Sequence, residues 1–537
     1  MENNNNGGYR LLTILMGLLM LIMLGYIIFD RYAGRVNTIS PASGTEWSKL
    51  NAILETVSSN YVDPVDQKEV TETILPDIMH QLDPHSIYLP PQDLKAADEE
   101  LQGGFDGIGI MFTVPNDTAV ISTVITGGPS ERAGLLTGDR IMRVDTVDIA
   151  GVGMPQDSMV RLMRGRRGTK VRVTVLRDGE QVPFDITRDK IPVNSVDVAF
   201  MVNDTTAYIK LSKFARTSYY EVLKAALKMR DEGMKRMILD LRDNTGGYMD
   251  QALLICNEFL EEGQLVVYME GAHRQRQDVY ADGKGLFKDI GLDILINESS
   301  ASSSEIVAGA MQDNDRATIY GLRSFGKGVV QEPFYLTDGS GIRLTVARYH
   351  TPTGRCIQKP YSDDYELDLI ERYRHGEMMS ADSIRVNDSL RYETPGGRVV
   401  YGGGGIVPDV FIPLDTVGVT DFLVKCNRQS LQVKFANHIT DQHRARMRGI
   451  SRMYDLQQFL SELDLKSLFL NFAAGYDVRP EKGDWEKSGD IILTQVKALI
   501  GRYTAMGDEG FYPIWINIDS TVQAAIAGSG AGQPDGQ

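Results

Sequence analysis

The chain reads as a multidomain α+β protein, with an N-terminal membrane helix, a helical segment, a β-barrel-like module, an α/β core and a C-terminal helical region. Three observations carry that reading. A charge-free apolar run, Leu11–Phe29, stands near the N-terminus. From Gly103 to Arg188, short alternating or β-rich runs are separated by glycine turns, the pattern of small strands. From Ile191 to Leu414, β-rich runs alternate with helical periodicity, the pattern of an α/β sheet, and helical periodicity returns from Thr416.

The apolar run (LLTILMGLLMLIMLGYIIF) holds 19 residues. A helix of that length, at 1.5 Å per residue, spans roughly 28 Å, close to the hydrocarbon thickness of a bilayer. It is long for a signal-peptide core, and no small-x-small site follows in IIFDRYAGRVN. The expectation is an uncleaved signal anchor over residues 1–35, with a cleaved signal peptide as the alternative. Arg10 lies on one side and Asp30, Arg31 and Arg35 on the other, so the positive-inside rule is nearly balanced.

Residues 36–102 hold a Ser/Pro/Gly linker and a helical segment, with Leu50, Ile53, Leu54 and Val57 at helical spacing before the proline-broken LDPHSIYLPP. Residues 103–188 hold four strand-like runs: GIGIMF, AVISTVI, DRIMRVD and KVRVTVLRDG. The α/β core, 189–414, is read from AYIKLSKF, RMILDLRDN and LDILINES, with an irregular polar insertion at 360–405. Residues 415–527 are helical, and the glycine-rich tail 528–537 is expected to be disordered.

Acidic residues outnumber basic ones, 72 to 56, for a net charge of −16. That argues against a nucleic-acid surface, which needs a basic footprint. Cys256, Cys356 and Cys426 are too few for a disulfide framework and show no metal-ligand spacing. No metal or organic cofactor is expected. There is no HExxH, and no GxSxG surrounds a serine.

The chemistry lies in three segments. ESSASSSEIVAGAMQD follows the β-like LDILIN and opens a helix. A hydroxyl at a helix N-terminus meets free N–H groups and a macrodipole that favour developing negative charge, which suits a nucleophile and its oxyanion. The competing reading is a capping box, in which Ser302 caps the helix and Glu305 reaches back. In FGKG, Lys327 stands between glycines on a tight turn, where burial would lower a lysine pKa and allow it to act as a base. In LDLRDNTGG, a buried strand ends in a turn whose glycines allow close substrate approach. Each segment alone is weak.

Together SASSSEI, SFGKGVVQ and LDLRDNTGG resemble the motifs of the carboxyl-terminal processing (tail-specific) protease family, PDZ-containing Ser/Lys serine peptidases. The resemblance implies Ser302 as nucleophile and Lys327, 25 residues later, as base. It implies Gln331 as the group that orients the lysine, and the backbone N–H groups of Gly246 and Ser303 as oxyanion hole. Asp313 matches a family aspartate and is read as structural support. Thr245 stands where the family has proline and Ser303 where it has alanine; neither change removes a backbone N–H. LDPHSIYL, LTDGSGIRLTVARYHTPTGRCIQ and GIVPDV resemble further family segments, so the likeness covers about Trp47 to Leu414. It implies a crotonase-like core.

GGFDGIGIMF and GPSERAGLLTGDRIMRVD resemble the carboxylate-binding loop and core of a PDZ domain. The resemblance implies that Gly107, Ile108, Gly109 and Ile110 receive a peptide C-terminus, and that the following strand pairs with it. Apolar Ile108 and Ile110 suggest an apolar terminal side chain. Arg164, Arg166 and Arg167 read as a carboxylate sensor or core contact, or as a solvated loop.

The expected function is therefore a serine endopeptidase that recognises protein C-termini and cuts through an acyl-enzyme. The alternatives are a catalytically silent PDZ scaffold and an envelope assembly factor. Expected partners are protein substrates with accessible apolar tails, the membrane through the N-terminal helix, and a homo-oligomer or adaptor protein. The expected location is the bacterial inner membrane, single-pass, with the catalytic part facing the periplasm.

Overall fold

The computed structural model describes Met23 and residues 48–528, apart from Thr126 and residues 362–364. The expected anchor, Met23 aside, the linker and the tail from 529 lie outside the described residues. Among the described residues no helix is long and apolar enough to cross a membrane. The chain divides into two units, residues 1–95 with 330–346, and residues 96–329 with 347–537.

In the first unit, helix Gln67–His80 begins where the Asp66 carboxylate accepts the N–H groups of Lys68 and Glu69. The segment after it is not helical. Asp83 accepts the N–H groups of His85 and Ser86, at 2.8 Å each, and the Ser86 hydroxyl at 2.7 Å. That turn leads into the strand Ile87–Leu89, which pairs antiparallel with Arg343–Gly341. Pro84, Pro90 and Pro91 explain the break, since the residue before a proline is driven from helical to extended backbone.

In the second unit, the β-rich module is a six-stranded antiparallel sheet ordered Ile110–Thr113, Ala119–Val124, Arg140–Val144, Lys170–Arg177, Glu180–Thr187, with the short strand Val147–Asp148 paired to Arg140–Val144. Ile121, Leu135, Ile141, Met159 and Val173 fill its core. Strands Gly104–Gly107 and Asp189–Pro192 pair as a ribbon where the chain enters and leaves the module.

The α/β core is a six-stranded sheet ordered Val196–Met201, Thr206–Leu211, Arg236–Asp240, Gly291–Ile296, Thr318–Gly321, Val410–Phe411. The first pair is antiparallel and the rest are parallel. Ile238, Leu239, Ile294 and Leu295 are fully buried, as expected of parallel strands covered on both faces.

The C-terminal region divides by its packing. Phe422, Phe435, Phe459, Phe469, Ile492 and Val496 build a core of their own. Ile516, Val522 and Ala525 instead pack with Val198, Tyr208, Ile238 and Leu295 of the sheet. Arg242, just past its strand, grips Asp240 and Asp519 with one guanidinium. The last helices thus complete the α/β core. Asp441 reaches the β-rich module through Arg140 at 2.6 Å. All three cysteines are free thiols, with Cys256 and Cys426 buried.

Candidate active site

Sheet order brings the three chemical motifs together. Strands Arg236–Asp240, Gly291–Ile296 and Thr318–Gly321 are parallel neighbours. Their C-terminal ends run into Leu241–Gly247, Asn297–Ser302 and Leu322–Lys327 respectively. Crevices outside the carboxyl ends of parallel strands are where α/β proteins hold ligands.

Ser302 precedes the helix Ser303–Asp313, every residue of which is buried. Its backbone sits at φ 55°, ψ −114°. A positive φ at a non-glycine residue costs roughly 1–3 kcal/mol and persists only where its surroundings over-determine it. Those surroundings are dense. The Ala301 N–H donates to Asn244 O at 3.0 Å, and the Phe325 N–H to Ser300 O at 3.0 Å. The Ser300 hydroxyl donates to Leu241 O at 2.8 Å, Ser303 to Gly247 O at 3.0 Å and Ser304 to Asn244 O at 2.8 Å. The serine-rich run is therefore a set of individual ties to the glycine turn.

Glu305 gathers the site. It is fully buried. Oε2 accepts the N–H of Ser302 at 2.9 Å and the N–H of Lys327 at 2.9 Å. Oε1 accepts the N–H of Gly326 at 2.7 Å and the Ser324 hydroxyl at 2.5 Å. One carboxylate oxygen thus sets the backbone register of both proposed catalytic residues. Burial pushes the Glu305 carboxyl above the usual range, against the pull of its hydrogen-bond donors. The Tyr349 hydroxyl, fully buried, lies 2.8 Å from Lys327 O and 3.2 Å from Ser302 O. Burial, reinforced by Glu305, drives its phenol well up. Ser302 and Lys327 are themselves half-buried.

The glycine turn is pressed against the serine. Gly246 has φ +103°, and a Cβ there would stand 2.8 Å from Ser302 Cβ and 3.0 Å from Ser303 N. A Cβ on Gly247 would stand 2.2 Å from Phe214 O. The Gly246 N–H donates to Asn244 Oδ1 at 2.9 Å. To hold an oxyanion it must exchange that partner.

The other sequence-expected residues have contacts of their own. Gln331 belongs to the first unit, where its amide donates to His85 O at 2.5 Å; its orienting role rests on the resemblance. Asp313 forms a fully buried ion pair with Arg355 at 2.6 Å. In the β-rich module, Gly107 ends the ribbon strand and Gly109 turns at φ +78°. Ile108 is buried in the module core, and Ile110 opens a strand that lies at the sheet edge. Arg164 lies over the Phe105 ring at 4.3 Å, and Arg167 pairs with Asp189 at 2.8 Å, so two of the three arginines pack on the ribbon.

Glu305 entered the sequence reading only as a capping partner. A signal for more was present: it is the one charged residue in SSEIVAGAM, and a carboxylate on so apolar a helix must find partners. Asn244 and Tyr349 carried no comparable signal, because their contacts are made across the fold.

Comparisons with known proteins agree with this architecture. The model of peptidase family S41 matches residues 205–367, and a PDZ domain model matches residues 107–187. The chain is 31% identical over 387 residues to a probable CtpA-like serine protease of Staphylococcus aureus (strain COL), covering 71% of this chain and 77% of the relative. A probable CtpA-like serine protease of Staphylococcus haemolyticus is 30% identical over 386 residues, covering 70% and 77%. Among solved structures, a photosystem II D1 C-terminal processing protease is similar over 73% of this chain and 92% of its own, at 25% identity and a TM-score of 0.38. The two family models and the two relatives define the class, a serine peptidase carrying a PDZ domain. The chain belongs to peptidase family S41, with the CtpA-like C-terminal processing proteases.

Proposed function

We propose that the chain is an endopeptidase that captures protein C-termini on its PDZ domain and cuts with Ser302 as nucleophile and Lys327 as general base. The carrying observation is the shared Glu305 oxygen, which accepts both backbone N–H groups at 2.9 Å. Neutral Lys327 takes the Ser302 proton as the hydroxyl attacks the peptide carbonyl. The oxyanion is held by the N–H groups of Ser303 and Gly246, the latter released from Asn244. The amine leaves with a proton, and water releases the acyl-enzyme.

The substrate tail lies along Ile110–Thr113, an edge strand suited to pairing with an extended peptide. Its carboxylate meets the Gly107–Ile110 loop, and its last side chain is apolar. Leu11–Phe29 anchors the enzyme in a bacterial inner membrane, with the catalytic part in the periplasm.

The test compares the chain with its Ser302→Ala variant on an unstructured polypeptide ending in valine. Cleavage by the wild type alone is expected. Equal cleavage by both would remove Ser302 as nucleophile. Binding of the tail without cleavage by either would favour a scaffold.

A further inference from the structure

The insertion 360–405 has no role in the mechanism above, yet one of its side chains enters the lysine turn. Helix Asp368–Arg374 carries Arg372, which is 4% exposed. Its Nη1 donates to Ser324 O at 2.7 Å and its Nη2 to Phe325 O at 3.1 Å. Nε stands 2.9 Å from Asp368 Oδ2. A guanidinium presents its donors in a rigid planar fork, so two bonds fix both carbonyls at once.

Those carbonyls belong to the two residues before Gly326 and Lys327. The Phe325–Gly326 peptide is thereby held at both edges: its C=O by Arg372 and its N–H by Glu305 Oε1 at 2.7 Å. The next N–H, that of Lys327, is held by Glu305 Oε2. Nearby groups close the same seat. The Lys359 N–H donates to Gly326 O at 3.0 Å, and its ammonium stands 4.2 Å over the Phe325 ring while bonding Asp368 at 3.1 Å. Gly326 turns at φ +92°, with the Gly405 nitrogen 3.1 Å from where a Cβ would sit. Arg323, at the start of the turn, is forked by Glu377 at 2.6 Å on both oxygens.

We infer that helix Asp368–Arg374 is a positioning element for the general base, and that Arg372 is its positioning residue, fixing the peptide that presents Lys327 to Ser302. The inference rests on the Ser302/Lys327 reading and deepens it. Arg372 touches neither reacting atom in this account. It acts by setting the direction from which the lysine leaves the backbone, and a displacement of about 1 Å at such a group costs on the order of a hundredfold in rate.

The experiment uses the full chain in detergent and the valine-ended polypeptide, with kcat and KM measured separately. Wild type against Ser302→Ala comes first. If they cleave alike, the underlying reading fails and takes the inference with it. If only the wild type cuts, Arg372→Met and Arg372→Lys decide. The methionine removes both bonds at similar length, and the lysine keeps a buried cation but cannot fork two carbonyls. Both are expected to lower kcat at least about tenfold with KM within about twofold, while tail binding stays near wild type and the melting temperature falls by only a few degrees as the two carbonyls lose their donors. Arg374→Ala, on the exposed side of the same helix, is expected to leave kcat unchanged. Wild-type kcat in Arg372→Lys and Arg372→Met overturns the inference. So does loss of folding in both, or a rise in KM at constant kcat.

Discussion

Glu305→Gln tests the central tie of the site most directly. The carboxylate accepts four hydrogen bonds, two on each oxygen, and an amide offers only one accepting atom. The least damaging orientation places the amide nitrogen at the Oε1 position. There the Ser324 hydroxyl turns to accept, but the Gly326 N–H is left facing another donor. An orphaned buried donor costs about 1–3 kcal/mol, and the remaining two bonds lose their charge assistance, about 1 kcal/mol each. Against this, the amide escapes the cost of burying a charge, the same cost that lifts the Glu305 carboxyl above its usual range. The net loss of stability is thus about 2–3 kcal/mol, a few degrees in melting temperature for a domain of this size. Activity should fall further, because the surplus N–H lies in the peptide that leads into Lys327. A loss of at least a hundredfold in kcat is expected, about the cost of misplacing a catalytic group by 1 Å. The assay is valine-tail cleavage alongside thermal denaturation. A Glu305→Gln enzyme with kcat within twofold of wild type would refute the claim that this carboxylate sets the register of the two residues.

Two further outcomes follow from the same geometry. Gly246→Ala should abolish cleavage, by at least about a hundredfold, while tail binding to the PDZ domain persists. Its φ of +103° disfavours a side chain, and the added Cβ would press on Ser302 Cβ at 2.8 Å; turnover measured beside peptide binding checks this. Asp240 is fully buried, and although burial raises its carboxyl, Arg242 and Lys210 hold it well below the ordinary value near 3.8. A depressed folded-state pKa contributes stability that is present above that value and lost as pH falls through and below it. Urea midpoints should therefore drop below about pH 4, and Asp240→Asn should flatten that acid limb while costing about 3–5 kcal/mol at neutral pH.

Three of the six strands of the α/β core, Thr206–Leu211, Arg236–Asp240 and Gly291–Ile296, were legible because each is a short β-rich run bounded by turn residues, and the PDZ region because glycines punctuate its strands. The three motif segments were legible as well, but each only as an ambiguous turn. Ser302 read equally well as a cap, and in the structure Glu305 does reach back to its N–H, so the capping half of that reading holds beside its role in the site. The proline break expected in LDPHSIYLPP is where the strand Ile87–Leu89 stands, between helices Gln67–His80 and Pro91–Leu101, because the prolines around Asp83 and its short-range hydrogen bonds favour extended backbone.

The sequence by itself determined many of the element types and pointed to the residues proposed for the chemistry, since local periodicity, turn propensity and motif spacing are written in neighbouring positions. Only the tertiary structure decided which of those residues meet. Parallel strand order sets three loop ends side by side, and no local pattern encodes the order of parallel neighbours. Glu305 reaches residues 19 to 22 positions away, and Arg372 reaches carbonyls 47 and 48 positions back, through a polar insertion that showed no motif. The packing of Val522 and Ala525 on the sheet is likewise invisible in a helix whose apolar pattern suits any partner. Such contacts are fixed by burial, where a polar group must find a partner across the fold or forfeit the cost of leaving water.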